Sequence, residues 1–346
     1  MTKTLELPAI DHTTATAITA QLTRYQHPNT WKGLWQFANS IIPYLGLWWL
    51  AVISLEYSYW LTIPIILLAA GFLVRVFIIF HDCGHGSFFA SPKANHIVGV
   101  ICGILTYTPY LYWRNSHAKH HATSANLDKR GFGDVWMMTI EEYERASRFQ
   151  RLQYRLYRNP LVMFGLGPLF IALITHRFVR RKANRAERMS VYGTNLAVAA
   201  VTALAIWGID LKPYLVIQLP MLFFALMSGI WLFYVQHQFE GVYWVRSHEW
   251  NHVQASIEGG SYYCLPAVLN WFTGNIGFHH VHHLNSRIPN YRLPRCHRAM
   301  PVFKRTPTIG FWSSFKSLQY RLWDEKSRSL VRFSALKANR RQARTD

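Results

Sequence analysis

Apolar positions gather in four long runs, 37–55, 60–80, 191–211 and 214–236, each 19 to 23 residues long. A helix rises about 1.5 Å per residue and a bilayer core is about 30 Å thick, so runs of this length can span it. Only a few residues separate the first run from the second, and the third from the fourth. That spacing predicts two transmembrane hairpins, each with both ends on one side. Two shorter apolar stretches fit the scheme less well. The stretch 97–113 carries Thr106, Thr108, Pro109 and three tyrosines, and 161–175 is broken by Gly165, Gly167 and Pro168. Both are read as dipping into the membrane rather than crossing it.

Charge orients the hairpins. No Lys or Arg occurs from Gly33 to Val74, and Lys212 is the one basic residue that four spans leave outside, out of 37 Lys and Arg. The positive-inside bias therefore puts both termini on the cytosolic side. Arg75, a turn before the end of the second run, is placed to snorkel to the near interface. The segment 1–34 is polar and Thr-rich and reads as a loosely docked tail, and 301–346 reads as a basic cytosolic extension. Between 141 and 158 a helical pattern sets Arg145, Arg148, Arg151, Arg155 and Arg158 nearly in a stripe. Such a stripe suits a phospholipid surface, an acidic partner or plain solvent.

Composition agrees with a membrane protein: 51% hydrophobic, 15% aromatic and only 16% charged residues. The formal charge of +20 invites a nucleic-acid partner, but the basic residues are parcelled between apolar spans with no nucleic-acid fold signature. That class is excluded. Cys83, Cys102, Cys264 and Cys296 form no CxxC pair and read as reduced thiols.

The chemistry lies in histidines. Three clusters occur: His81 and His85 in HDCGH, His117, His120 and His121 in HAKHH, and His279, His282 and His283 in HHVHH. Spacings of three and four put these imidazoles on one helix face. Gathering so many is costly unless a metal shares their lone pairs. Eight histidines exceed the six that one metal takes, which points to two metals. His237 follows the fourth run as His81 follows the second and makes a ninth candidate, whereas His280 lies about 100° away from the ligand face. Asp82 and Asp128 are candidate partners for ring N–H groups. The metals cannot be named from imidazole alone. Soluble di-iron bundles need two Glu-x-x-His motifs, and this chain has one, Glu249 to His252. That motif is part of His248-Glu249-Trp250-Asn251-His252, a match to the HExxH signature of zinc proteases and the rival reading.

The three clusters resemble the histidine boxes of membrane fatty acid desaturases. The surrounding phrases TPYLYWRNSHAKHHATSANLD, FYVQHQFEG and WFTGNIGFHHVHHLNSRIPNY are similar to those of bacterial and cyanobacterial acyl-lipid enzymes. The resemblance covers about 35–300 and implies an all-α integral membrane protein with a cytosolic helical cap. It implies two iron ions held by His81, His85, His117, His120, His121, His279, His282 and His283, with His237 in an additional ligand position. It further implies O₂, acyl chains of membrane glycerolipids as substrate, and electrons from an external donor such as ferredoxin. The acyl-CoA branch has an Asn one turn before the extra histidine, where this chain has Phe233. A hydroxylase or carotenoid ketolase would use the same metal kit. An apolar tunnel between the spans is expected, with Trp48, Trp49, Trp231 and Phe233 as candidate lining residues.

Overall fold

The computed structural model describes residues 12–131 and 133–336. A short helix, α1 (His12–Leu22), precedes the first hairpin, α2 (Thr30–Leu55) and α3 (Tyr59–His85). There follow α4 (Pro92–Leu105), α5 (Tyr110–Thr123), α6 (Ile140–Arg145), α7 (Arg148–Tyr157) and α8 (Gly167–Leu173). The second hairpin is α9 (Arg185–Ile209) and α10 (Leu211–His237), and α11 (His252–Glu258), α12 (Ala267–Phe272), α13 (His279–Leu284) and α14 (Leu293–Ala299) complete the α-helices among the described residues. The four helices of the hairpins are 25 to 27 residues long and apolar enough to cross a membrane. Helices α2, α3 and α9 extend the predicted runs chiefly at their cytosol-assigned ends, because local caps lie beyond the apolar residues, whereas α10 gains most at its other end. Asn29 accepts the Lys32 N–H at the start of α2, and Asn184 and Glu187 form a capping box on α9.

The most buried span is α3, which packs against α2, α4, α5, α10 and α12. Arg75 on it does not snorkel outward. Its guanidinium sits 4.0 Å over the Trp271 ring and donates to the Trp271 carbonyl, so α12 supplies both faces of its shelter. The stretch 97–113 is neither one span nor one interfacial helix. A turn at Thr106–Pro109, with Tyr107 at φ 56°, divides it into α4 and α5, each 14 residues. Gly103 makes this return tight: a Cβ there would lie 2.6 Å from the Thr108 carbonyl oxygen. The turn between α4 and α5 brings the second histidine cluster back to the end of α3.

The helical pattern at 141–158 is likewise broken. Ser147 caps a new helix, so α6 and α7 are separate, and the arginine stripe is not continuous. Arg158 is buried and donates to Gln238 Oε1 and the Tyr320 carbonyl.

The terminal segments pack on the cap rather than trail from it. Within 1–34, α1 buries Ile18 and Leu22 against Val281, Leu284, Ile288 and Cys296. Within 301–346, three short strands return to earlier residues. β3 (Thr308–Gly310) runs parallel to β2 (Tyr262–Cys264), and β4 (Leu322–Asp324) runs parallel to β1 (Met138–Thr139) and antiparallel to β5 (Ser329–Val331). Residues 1–11 and 337–346 of the expected tail and extension lie outside the described residues.

Candidate metal centre

The nine candidate histidines come together at one end of the bundle. His81 and His85 form the last turn of α3, His117, His120 and His121 lie on α5, His237 ends α10, and His279, His282 and His283 lie on α13. They do not form one cluster. His81, His85, His117, His121 and His282 make one group, and His120, His237, His279 and His283 make a second; within each group the ligand atoms lie within 4.8 Å of one another. Each HxxHH motif is therefore divided. The i, i+4 pair serves one group and the remaining histidine serves the other: His117 and His121 against His120, and His279 and His283 against His282. Adjacent residues on a helix diverge by about 100°, which lets one helix wall two sites.

Spacing within the groups fits metal ligation. His117 and His121 present Nε2 atoms 3.1 Å apart, and His121 and His282 present theirs 3.0 Å apart. In the second group His237 Nε2 is 3.2 Å from that of His120 and 2.9 Å from that of His279, which is 3.0 Å from that of His283. Metal–nitrogen bonds of about 2.1 Å meeting near a right angle set nitrogens about 3.0 Å apart. A neutral imidazole has a single N–H, and a nitrogen crowded by two others is better served by a shared cation. His85 Nε2 is buried with no hydrogen-bond partner among the described residues, as a ligand atom waiting for a cation would be.

Electrostatics point the same way. Burial first, and the surrounding imidazoles second, push His117, His121, His279, His282 and His283 well below the ordinary imidazole range. Neutral rings keep the lone pair a metal needs. Two carboxylates brace the far ring nitrogens. Asp82 Oδ1 lies 3.1 Å from His81 Nδ1 while its Oδ2 accepts from the Asn290 backbone and side chain. Asp134 Oδ1 lies 2.5 Å from His120 Nδ1.

Asp134 was not among the expected partners, and Asp128, which was, lies elsewhere. The Asp128 carboxylate accepts from Arg246 Nη1 at 2.7 Å and from the Ser247 N–H at 2.8 Å, tying two surface loops. Only the glycines at 131 and 133 just before Asp134 hinted that this later acid could fold back over α5. His280 stays outside both groups, its Nε2 2.8 Å from His297 Nδ1. Phe233 packs 5.0 Å from the rings of both His120 and His237, walling the second group with an aromatic edge. Of the expected tunnel residues, Trp48 lines a cavity of about 220 Å³ with Tyr44, Leu105, Val201 and Tyr214. Trp49 is exposed, and Trp231 packs instead on Phe164, Tyr234 and Phe315.

The protease signature is not assembled. His248, Glu249, Trp250 and Asn251 precede α11, so His248 and His252 do not share a helical face. Glu249 pairs with Arg328 at 3.0 Å, and neither histidine joins a ligand group among the described residues.

Comparison with known proteins agrees with the geometry. The profile of the fatty acid desaturase family matches residues 58–312. A fatty acid desaturase of Bacillus subtilis is 49% identical over 92% of this chain and 91% of its own length. Two Synechocystis proteins are more distant. The sn-1 oleoyl-lipid 12-desaturase is 26% identical over 75% of this chain and 74% of its own, and the sn-1 acyl-lipid omega-3 desaturase (ferredoxin) is 27% identical over 81% and 82%.

Proposed function

Because this chain belongs to the fatty acid desaturase family, we propose that it introduces a cis double bond into acyl chains of membrane glycerolipids, using O₂ and a two-iron centre. The division of each HxxHH motif between two groups of imidazoles supports the two-metal reading most directly. The family is iron-dependent, and an all-imidazole donor set suits iron. His81, His85, His117, His121 and His282 would hold one ion, and His120, His237, His279 and His283 the other.

The reaction converts –CH₂–CH₂– to –CH=CH–; the two hydrogens removed, together with O₂, two electrons from the donor and two protons, leave as two waters. An unactivated methylene offers neither acidity nor a leaving group, so the iron supplies the oxidising power that side chains lack. The protein supplies position and enclosure. Helices α3, α5, α10 and α13 fix the nine rings, and Asp82 and Asp134 hold His81 and His120 in the tautomer that turns Nε2 inward. Burial of all four rings of the second group, with Phe233 against two of them, excludes water from that side.

The electrons come from a separate protein. An acidic ferredoxin would be steered to the basic cytosolic face, and a ferredoxin-dependent acyl-lipid enzyme is among the relatives. The positive-inside bias of the basic residues supports a cytosolic side for both termini and the centre. Residues 35–300 would form the catalytic domain, with 1–34 and 301–346 as flanking segments.

Expression with ferredoxin in a bacterium that lacks the activity, followed by fatty acid methyl ester analysis, tests the reading. A new unsaturated peak that is lost in His120→Ala supports it and assigns the double bond. A hydroxylated product would move the chemistry to oxygen insertion.

A further inference from the structure

Helix α7 turns a stripe of large apolar residues outward. Only part of its polar surface faces the protein, while Arg148, Gln150, Gln153 and Arg155 stay exposed. Arg151 donates to the carbonyls of Ala146 and Glu144, Tyr154 is fully buried, and Arg158, 1% exposed, reaches Gln238 beside the candidate ligand His237. Its apolar face turns away: Phe149 is 67% exposed, Leu152 54% and Leu156 52%. These three lie at i, i+3 and i+7, one stripe along the helix.

An apolar stripe of this size does not face water in a stable protein without a reason. The chain itself identifies what covers it. After α7 the axis bends by 60° into Leu161–Arg177, an apolar segment whose Leu161, Leu166, Phe170 and Ile174 are also exposed. Across the short break at Arg158–Pro160 the stripe thus leads into a segment that is read as membrane-dipping. Arg148 and Arg155 are exposed along one flank of the stripe, a place where a helix lying in an interface carries cations; Arg155 also donates to Tyr143 Oη at 2.6 Å and lies 4.4 Å over the Phe333 ring.

We propose that α7 is embedded in one leaflet of the bilayer, with Phe149, Leu152 and Leu156 among the lipid acyl chains and Arg148 and Arg155 at phosphate level. The sequence pattern left the arginine stripe open to a phospholipid surface, an acidic partner or solvent, so a part at a lipid surface was one of three readings. The structure assigns that part to the apolar stripe, and ties Arg151 and Arg158 into the protein. Through Arg158 and Gln238 the same helix is anchored behind His237, so it sets the height of the second histidine group above the lipid.

Nitroxide labels on cysteine at 149, 152 and 156, one at a time in full-length protein with Cys264→Ser, test this in phosphatidylethanolamine–phosphatidylglycerol vesicles. Power saturation compares collision with O₂, which concentrates in lipid, against a water-soluble nickel chelate. O₂ access severalfold above chelate access at all three positions is expected, with the reverse at Glu141 and Arg145 on α6. Chelate access that dominates at position 152 would overturn the proposal by showing a wet face. Low access to both reagents would overturn it in favour of a protein partner or a second copy. Neither readout needs turnover, so the result stands apart from the catalytic reading, and three labelled positions guard against one that misfolds.

Discussion

The side chains of His120 and Asp134 meet at 2.5 Å, imidazole Nδ1 to carboxylate Oδ1, and are only 1% and 8% exposed. Asp134 Oδ2 also accepts the Gly131 N–H at 3.3 Å, so the turn after α5 holds the acid in place. A carboxylate that takes the Nδ1–H fixes the tautomer and directs the Nε2 lone pair toward His237 and His279. Asp82 does the same for His81 in the other group, but from within its own helix. Among the described residues each group thus has one histidine braced by a carboxylate, one by a neighbour in sequence and one by a residue 14 positions away.

Removing that brace is expected to loosen the second group. Asp134→Ala should weaken iron binding there about 10- to 100-fold, the range seen when a partner of a ligating histidine is lost. Asp128→Asn should leave iron unchanged, since its carboxylate serves Arg246 and Ser247. Iron per chain, measured after dialysis against a graded chelator, separates the two. Equal retention in both variants would mean that Asp134 does not brace a ligand.

A second expectation concerns neighbours in one motif. His282→Ala removes a ligand of the five-histidine group and His279→Ala one of the four-histidine group. Each should lower iron toward one per chain, and Mössbauer spectra should lose different components. Loss of the same component from both would contradict the division of the motif.

The long spans, the histidine clusters and His237 were legible because each is written in contiguous residues with a helical or apolar period. What the chain hides is whatever depends on a return in space. The stripe from Arg145 to Arg158 has a helical period, yet Ser147 and Gln150 form a capping box in its midst and split it. The His120–Asp134 contact crosses a glycine turn with no periodicity to announce it. Pairing of β4 with β1 joins residues more than 180 positions apart, which no local pattern records. The division of HxxHH between two groups was within reach of helix geometry, since His120 and His121 diverge by about 100°, but only the partners from α10 and α13 show that both directions are filled.

Acidification should release metal. Burial and neighbouring imidazoles hold His117, His121, His279, His282 and His283 below their ordinary value of 6.5. The folded, loaded state therefore binds fewer protons than a state in which these rings reach water. Its stability is complete above the ordinary value and is lost as pH falls below it. Iron retained after dialysis is expected to be flat above about pH 7 and to fall steeply below about pH 6.5. Retention unchanged down to about pH 5 would contradict a site built from these imidazoles.

The approach of α13 to β2 leaves no room at Gly277. Its carbonyl accepts the Tyr263 N–H at 2.8 Å, and a Cβ on Gly277 would overlap the Tyr263 carbonyl oxygen. The obstacle is backbone, already paired in register with Thr308–Gly310, and cannot swing aside as a side chain could. Gly277→Ala must therefore displace the chain two residues before His279, and with it ligands of both groups. Overpacking of this kind costs about 1–3 kcal/mol, and a lower melting temperature with reduced iron per chain is the expected result. Gly46, on α2, has nothing within 4 Å of a built Cβ, and Gly46→Ala should keep both stability and iron. Thermal unfolding and iron analysis of the two variants side by side give the answer. If Gly277→Ala matched Gly46→Ala in both, the strand would be yielding where the packing says it is fixed, and the third histidine motif would not depend on that close approach for its position.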